Sequence, residues 1–356
     1  MSRTLHQQFI NAADEFSPIP FWFWNDDLNK DEIRRQILDF HDKGVNGFVL
    51  HPRIGIPTEI TYLSETFMEY VVVAVEQAAT HGMSVILYDE GMYPSGSANG
   101  LVVRDNPEYA SRGLKMLEHP CKPDTEVSLN LAEGEKLVSV QAIKKLSAET
   151  IDLTSAQIVD CESNSVSFHP PDDEQWSILL FIETFSGGNI RGIHFGEDDG
   201  EEHAPPSADL LHPAAVNKFI ELTHDTYYAH LKQHFGNTII AMFTDEPDIL
   251  GRGSGHNLKP WTTDFLTYYK QNGNKETQLA ALWFDAGEMT AEIRKNYQKT
   301  VNKRLSEVYY QQIAAWCEVH QIALTGHPAA SDDIGLLDHF QIPGHDVVGR
   351  WVGRED

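Results

Sequence analysis

The chain has 356 residues, enough for two or three domains or for one barrel carrying an insertion. Its 41% hydrophobic and 22% charged residues are those of an ordinary folded protein and exclude disordered, collagen-like and disulfide-rich classes. A formal charge of −26, from 53 acidic against 27 basic side chains, repels polyanions, so no nucleic acid or anionic membrane partner is expected, whereas neutral sugars stay compatible.

Cys121, Cys161 and Cys317 follow no metal or redox spacing and fit free thiols in a reducing cytoplasm. The start Met1-Ser2-Arg3-Thr4-Leu5-His6 lacks the apolar core and small-residue cleavage site of a signal peptide, and no apolar run approaches the roughly 20 residues needed to span a bilayer. A soluble cytoplasmic protein is the expectation. No oligomeric state is legible.

In chain order, residues 20–25 (Pro-Phe-Trp-Phe-Trp-Asn) predict a short aromatic strand, and Asn29 caps a helix with Ile33, Ile37, Leu38 and Phe40 at helical spacing, stopped by Gly44. Val45 to Leu50 is a second strand ending in His51-Pro52-Arg53. Ser64 caps a helix through Phe67, Val71, Val75 and Ala78 that stops at Gly82. Met83 to Tyr88 is a third strand, leading into a polar, turn-rich loop from Asp89 to Ser97. Strands alternating with helices require crossovers and predict a parallel sheet, in a barrel or an open arrangement.

From about residue 110 the pattern changes to short strand-like runs, Leu137 to Ile143, Ile151 to Leu153, Ser165 to Phe168 and Ile178 to Ile182. These predict an inserted, β-sandwich-like domain over 110–205, between a first barrel segment at 1–109 and a second at 206–356. A long helix from Pro213 to about Phe235 precedes a fourth strand, Thr238 to Thr244. A helical region from about Thr290 to His320 precedes a fifth, Ile322 to Thr325, and a sixth element falls around His345 to Val348. No seventh or eighth strand follows.

In parallel α/β folds the C-terminal strand ends converge on the active site. Here they carry Trp24-Asn25, His51 and Arg53, Asp89-Glu90, Asp245-Glu246, and His327. Taken singly, Asp89 and His327 are balanced between function and a cap or hydrogen-bonded core position. Asp245-Glu246 differs, because adjacent carboxylates after an apolar run are costly unless one is hydrogen-bonded and the other faces a polar cleft. Trp24 and Tyr93 are placed to stack on apolar sugar faces. Gly91, Gly96 and Gly100 match neither a dinucleotide fingerprint nor a P-loop, so no nucleotide is expected.

Glycoside hydrolysis needs one protonated carboxyl and a second as nucleophile or base, roughly 5 to 9 Å apart. Glu246 suits the acid. Asp245 would raise its proton affinity if both face one site, with Arg53 or His327 opposing that effect or orienting substrate.

The runs Phe21 to Asn25, Asp89 to Ala98, Phe243 to Pro247 and Ala208 to Val216, with Phe219 and Thr223-His224, together resemble the bacterial family 106 α-L-rhamnosidase-like glycoside hydrolases over nearly the whole chain. The resemblance implies a TIM-type (β/α)8 barrel, incomplete at its C-terminal end, with a β insertion after strand three. It implies Glu246 as general acid and Asp245 as its support, acting on a neutral or plant-derived glycoside such as an α-L-rhamnoside. Substrate contacts would come from Trp24, Asn25, His51, Arg53, Asp89, Glu90, Tyr93 and His327. The partner carboxylate is expected from a later strand, absent before Asp356, so that hydrolysis by this chain would be weak or nil. No cofactor is expected, although carboxylates would accommodate a calcium ion.

Two other readings compete. A metal-dependent barrel hydrolase or isomerase would use His51, Asp89, Glu90, Asp245 or His327 as ligands, but no HxH or HExxH spacing supports it. A non-catalytic carbohydrate-binding remnant would keep a sugar-shaped cleft without a carboxylate pair.

Overall fold

The alternation of apolar runs with amphipathic helices builds a six-stranded parallel sheet in a computed structural model describing residues 5–10, 13, 16–121, 125–161, 164–330 and 333–346. Its strands are Phe21–Trp24, Gly47–Pro52, Ser84–Tyr88, Ile239–Asp245, Ala323–His327 and Ile342–Pro343, side by side in chain order and here called strands one to six. Among the described residues the sheet is open, with strands one and six at its edges. The fold is therefore mixed α/β with a parallel sheet, and the closed eight-stranded barrel implied by the resemblance is not formed by these residues.

Local chemistry fixes the crossovers. The Asn29 carboxamide oxygen accepts from the backbone N–H of Asp31 and Glu32, starting helix Lys30–Asp42, and Gly44 ends it in the left-handed conformation at φ 77°. Ser64 caps helix Glu65–Thr80 by accepting from Phe67 N–H, and Gly82 ends it at φ 65°. Phe67, Val71, Val75 and Ala78 form its buried stripe. Burial of each larger side chain contributes about 1.5–3 kcal/mol.

Three elements differ from expectation. Strand two continues to Pro52, because Leu50, His51 and Pro52 pair with Trp22, Phe23 and Trp24, so His51 lies within the strand. The expected long helix at 213–235 breaks into Pro213–Leu222 and His224–Leu231; between them the Thr223 hydroxyl donates back to the Phe219 carbonyl, a bond that competes with the helix ladder. Strand six comes earlier than predicted, at Ile342–Pro343, and Val347 and Val348 lie outside the described residues.

The chain divides into two compact units. One takes the described residues of 1–109, 188–253 and 308–356, and the other those of 110–187 and 254–307. Residues 188–205 thus belong with the parallel sheet rather than with the expected insertion. Residues 254–307, expected in the second barrel segment, belong to the other unit because Lys259–Trp261 adds an antiparallel edge strand there.

In that second unit the five-stranded sheet runs, in spatial order, Lys259–Trp261, Arg112–Pro120, Trp176–Phe185, Lys136–Lys145 and Ile151–Ile158. A hairpin-like pair, Thr125–Ser128 with Ser165–Phe168, faces it: Val127 and Val166 pack into one cluster with Val140, Ile178, Leu180 and Ile182. Strand Trp176–Phe185 is buried over its first eight residues, as its apolar run Ile178 to Ile182 requires of a central strand.

Candidate functional site

Strand alternation sorts the aromatic run at the start of the sheet. Trp22 and Trp24 are buried on the helix side of the sheet, where Trp22 meets Phe40 of the first crossover helix and Phe48 of strand two edge-on and Trp24 meets Phe67. Phe21 and Phe23 point the other way and stay 41% and 44% exposed. Trp24, expected at the cleft, is therefore a core residue, and the aromatic cleft wall is Phe21 and Phe23. The signal was present in the period-2 pattern, but four consecutive aromatics hid its phase. Asn25 is exposed beside Trp24 and does not line the pocket at the strand ends.

That pocket, about 440 Å³, opens at the C-terminal strand ends. Phe21, Phe23, His51 and Arg53 form one wall, and Asp245, Glu246, His327 and Asp346 another, with Tyr93 and Arg191 closing it. The sequence reading thus placed His51, Arg53, Tyr93, Asp245, Glu246 and His327 together. It missed Phe21, Phe23, Arg191 and Asp346. Asp346 follows strand six as the other acids follow theirs, whereas Arg191 sits in a segment read as part of the insertion and carried no signal.

Asp245 is the hub of the acidic wall. Its Oδ2 accepts from the Tyr88 hydroxyl at 2.5 Å, and its Oδ1 lies 3.2 Å from His327 Nε2. Its backbone N–H donates to Ser95 Oγ while Ser95 N–H donates to its carbonyl, both at 2.8 Å. Burial raises its proton affinity, and Tyr88 and His327 act against that rise. Glu246 is only half-buried and faces the pocket; burial first, then the charges of Asp245 and Asp346, push its carboxyl up to about 7.

The backbone at Glu246 is strained, at φ 43° in the left-handed region, and its N–H donates to the His327 carbonyl at 3.2 Å. Strands four and five approach so closely here that a Cβ on Gly326 would sit 1.9 Å from the Thr244 carbonyl oxygen. Glycine is obligatory at that position.

Asp89 and Glu90, expected to contact substrate, are fully buried and do not line the pocket. The Glu90 carboxylate accepts from the backbone N–H groups of Gly91, Gly96, Ser97, Ala98 and Asn99, tying the loop into a closed turn. Asp89 Oδ1 accepts from Ser95 Oγ at 2.6 Å, and burial drives its proton affinity far above the ordinary carboxylate value. Both are scaffold rather than contact residues, because the loop folds back over the strand end instead of leaving it open.

Asp346, beyond strand six, adds a third carboxylate to the pocket lining. Ligand atoms of Glu246, His327 and Asp346 all fall within 4.8 Å of one another, two oxygens and one imidazole nitrogen able to hold a divalent cation. Of the metal ligands the sequence suggested, Asp89 and Glu90 are buried away from this cluster.

No protein-family model and no curated protein matches the sequence. Among solved structures, the fold is similar to a rhamnosidase from Novosphingobium sp. PP1Y, with a TM-score of 0.71 at 12% identity over 95% of this chain. The chain spans about half of that protein, 49% of its length. A β-galactosidase from the psychrophilic Marinomonas ef1 matches at a TM-score of 0.47 and 7% identity, over 93% of this chain and 41% of the other. The likeness to the rhamnosidase is one of fold. Among the described residues no helix is long and apolar enough to cross a membrane.

Proposed function

We propose that the protein hydrolyses glycosides, with Glu246 as general acid, Asp346 as the second carboxylate, and Asp245 as the support that positions His327. The observation that carries this reading is a carboxyl kept protonated to about pH 7 at the end of strand four, in an open pocket, with another carboxylate within 4.8 Å. A general acid must hold its proton at working pH and release it to the leaving oxygen, and a proton affinity near neutrality serves both needs.

A second carboxylate this close fits the roughly 5 Å spacing of pairs in which the partner attacks the sugar directly, rather than the wider spacing that admits a water. Phe21 and Phe23 offer flat apolar area to the sugar ring, and Arg53, His51, Tyr93 and His327 offer polar contacts. The likeness to a rhamnosidase makes an α-L-rhamnoside the first substrate to try.

Incubation with a panel of aryl glycosides, α-L-rhamnoside included, tests the reading. Turnover by the wild type that Glu246→Gln and Asp346→Asn each abolish is the expected result. Folded wild-type protein without turnover on any member would refute it and leave a carbohydrate-binding role.

The Glu246, His327 and Asp346 cluster also favours a second reading, a metal-dependent hydrolase. Loss of turnover on chelation, with return on adding one divalent ion, would replace the acid mechanism by that one.

A further inference from the structure

We propose that Arg53 forms a carboxylate-binding subsite, so that the sugar unit held against Phe23 is acidic. The inference takes the pocket to be the sugar site proposed above and names the class of substrate it admits.

Arg53 is set apart from the other cations around the pocket. Arg191 binds Asp198 and Asp199 and donates to the Tyr93 hydroxyl at 3.0 Å, and Arg252 binds Asp199. Arg53 makes no ion pair and no side-chain hydrogen bond with any other described residue, and its charge acts only at longer range, lowering the proton affinity of Asp245. Its guanidinium carbon lies 4.8 Å from the centre of the Phe23 ring. A contact through the guanidinium face leaves the N–H groups along its edge unspent, in the fork that matches a carboxylate.

The backbone holds this group in place. Arg53 N–H donates to the Trp24 carbonyl at 2.8 Å, and Gly55 and Ile56 N–H both donate to the Ile193 carbonyl. The turn between them needs glycine, since a Cβ on Gly55 would lie 2.1 Å from the Asn25 carbonyl oxygen.

His51 lines the same wall. It is 2% exposed, both ring nitrogens are buried, and the Met92 backbone is its hydrogen-bonding neighbour. The ring is clamped between Tyr88, stacked at 3.7 Å, and the edge of Phe23 at 5.2 Å. Burial, and then the charge of Arg53, push its proton affinity down to about 3 against an opposing hydrogen bond to the Met92 backbone, so the ring is neutral and adds no positive charge beside Arg53.

The opposite wall decides where an anion sits. Asp245 and Asp346 disfavour a carboxylate on their side, whereas the Arg53 fork accepts one. The pocket is thus polarised, with proton-transfer groups on one wall and an anion clamp on the other.

The test is equilibrium binding by calorimetry to the full chain, comparing D-galacturonate and D-glucuronate with D-galactose and D-glucose. The uronates are expected to bind about tenfold or more tightly than the neutral sugars, as a charge-assisted hydrogen bond allows. Arg53→Gln should erase the preference, Arg53→Lys should keep part of it, and the His51 ring resonances should shift with uronate alone. Equal affinity of the wild type for acidic and neutral sugars, or a preference that survives in folded Arg53→Gln, would overturn the subsite. Turnover is read separately. Uronate preference without hydrolysis keeps the subsite and removes the glycosidase, and hydrolysis of neutral aryl glycosides without uronate preference does the reverse.

Discussion

Replacing Glu246 by Gln should stabilise the protein while removing its activity, and the gain should depend on pH. The carboxyl is pushed from its ordinary 4.5 up to about 7 in the fold. Full conversion of that shift would amount to about 3 kcal/mol, but the side chain is 31% exposed, and solvent screening reduces the figure to roughly 1–2 kcal/mol. The folded protein binds this proton more tightly than the unfolded chain does. Its contribution is therefore most favourable below about pH 4.5, declines as pH rises toward 7, and stays at its full penalty above. The amide carries no proton to lose. Urea unfolding of wild type and Glu246→Gln should coincide near pH 4.5 and separate by roughly 1–2 kcal/mol in favour of the variant at pH 8. A variant that is no more stable than wild type at pH 8 would refute the claim that Glu246 carries a raised proton affinity.

If Glu246 is the acid, kcat/KM of the wild type should fall as pH rises through about 7, where the carboxyl loses its proton, and a profile still rising past pH 8 would contradict that role. Glu90→Ala strips the acceptor from five buried backbone N–H groups and should cost about 3–5 kcal/mol in thermal or urea unfolding, with the pocket lost as the loop opens. Gly326→Ala drives a Cβ against the Thr244 carbonyl and should cost about 3 kcal/mol or more, whereas Gly82→Ala, which meets nothing within 4 Å, should cost only about 1 kcal/mol for its left-handed backbone. Unfolding midpoints of the two glycine variants, measured together, check both.

Much of the parallel sheet was legible because its punctuation is chemical. Asn29 and Ser64 cap helices, Gly44 and Gly82 end them, and the apolar runs between them have no other use than as strands. The convergence of His51, Arg53, Tyr93, Asp245, Glu246 and His327 followed from one rule about strand ends. What failed was whatever depended on direction rather than position. Sequence spacing put Asp89 and Glu90 at the end of strand three but said nothing of the backward fold of the loop, which turns both carboxylates inward onto Ser95 and five backbone donors. The same holds for Trp24, one residue out of phase with the cleft, and for residues 254–307, whose short edge strand pairs with a segment far away in sequence.

The buried acids of that loop bear on the half-buried Glu246 beyond it. Glu90 fixes the backbone from Gly91 to Asn99, and Ser95, held in that backbone, donates to Asp89 and accepts from the N–H of Asp245. The position of the Asp245 main chain, and with it the left-handed turn at Glu246, is thereby set from strand three as well as from its own strand. A residue in a strained conformation persists only when its surroundings over-determine it. Here the surroundings are the Ser95 bridge on one side and the close pairing of Thr244 with Gly326 on the other. The carboxylates of strand three therefore act through the backbone, and their charge is secondary: Asp89, whose proton affinity is already driven far up by burial, should tolerate Asn far better than Glu90, which must accept at both oxygens, tolerates Gln.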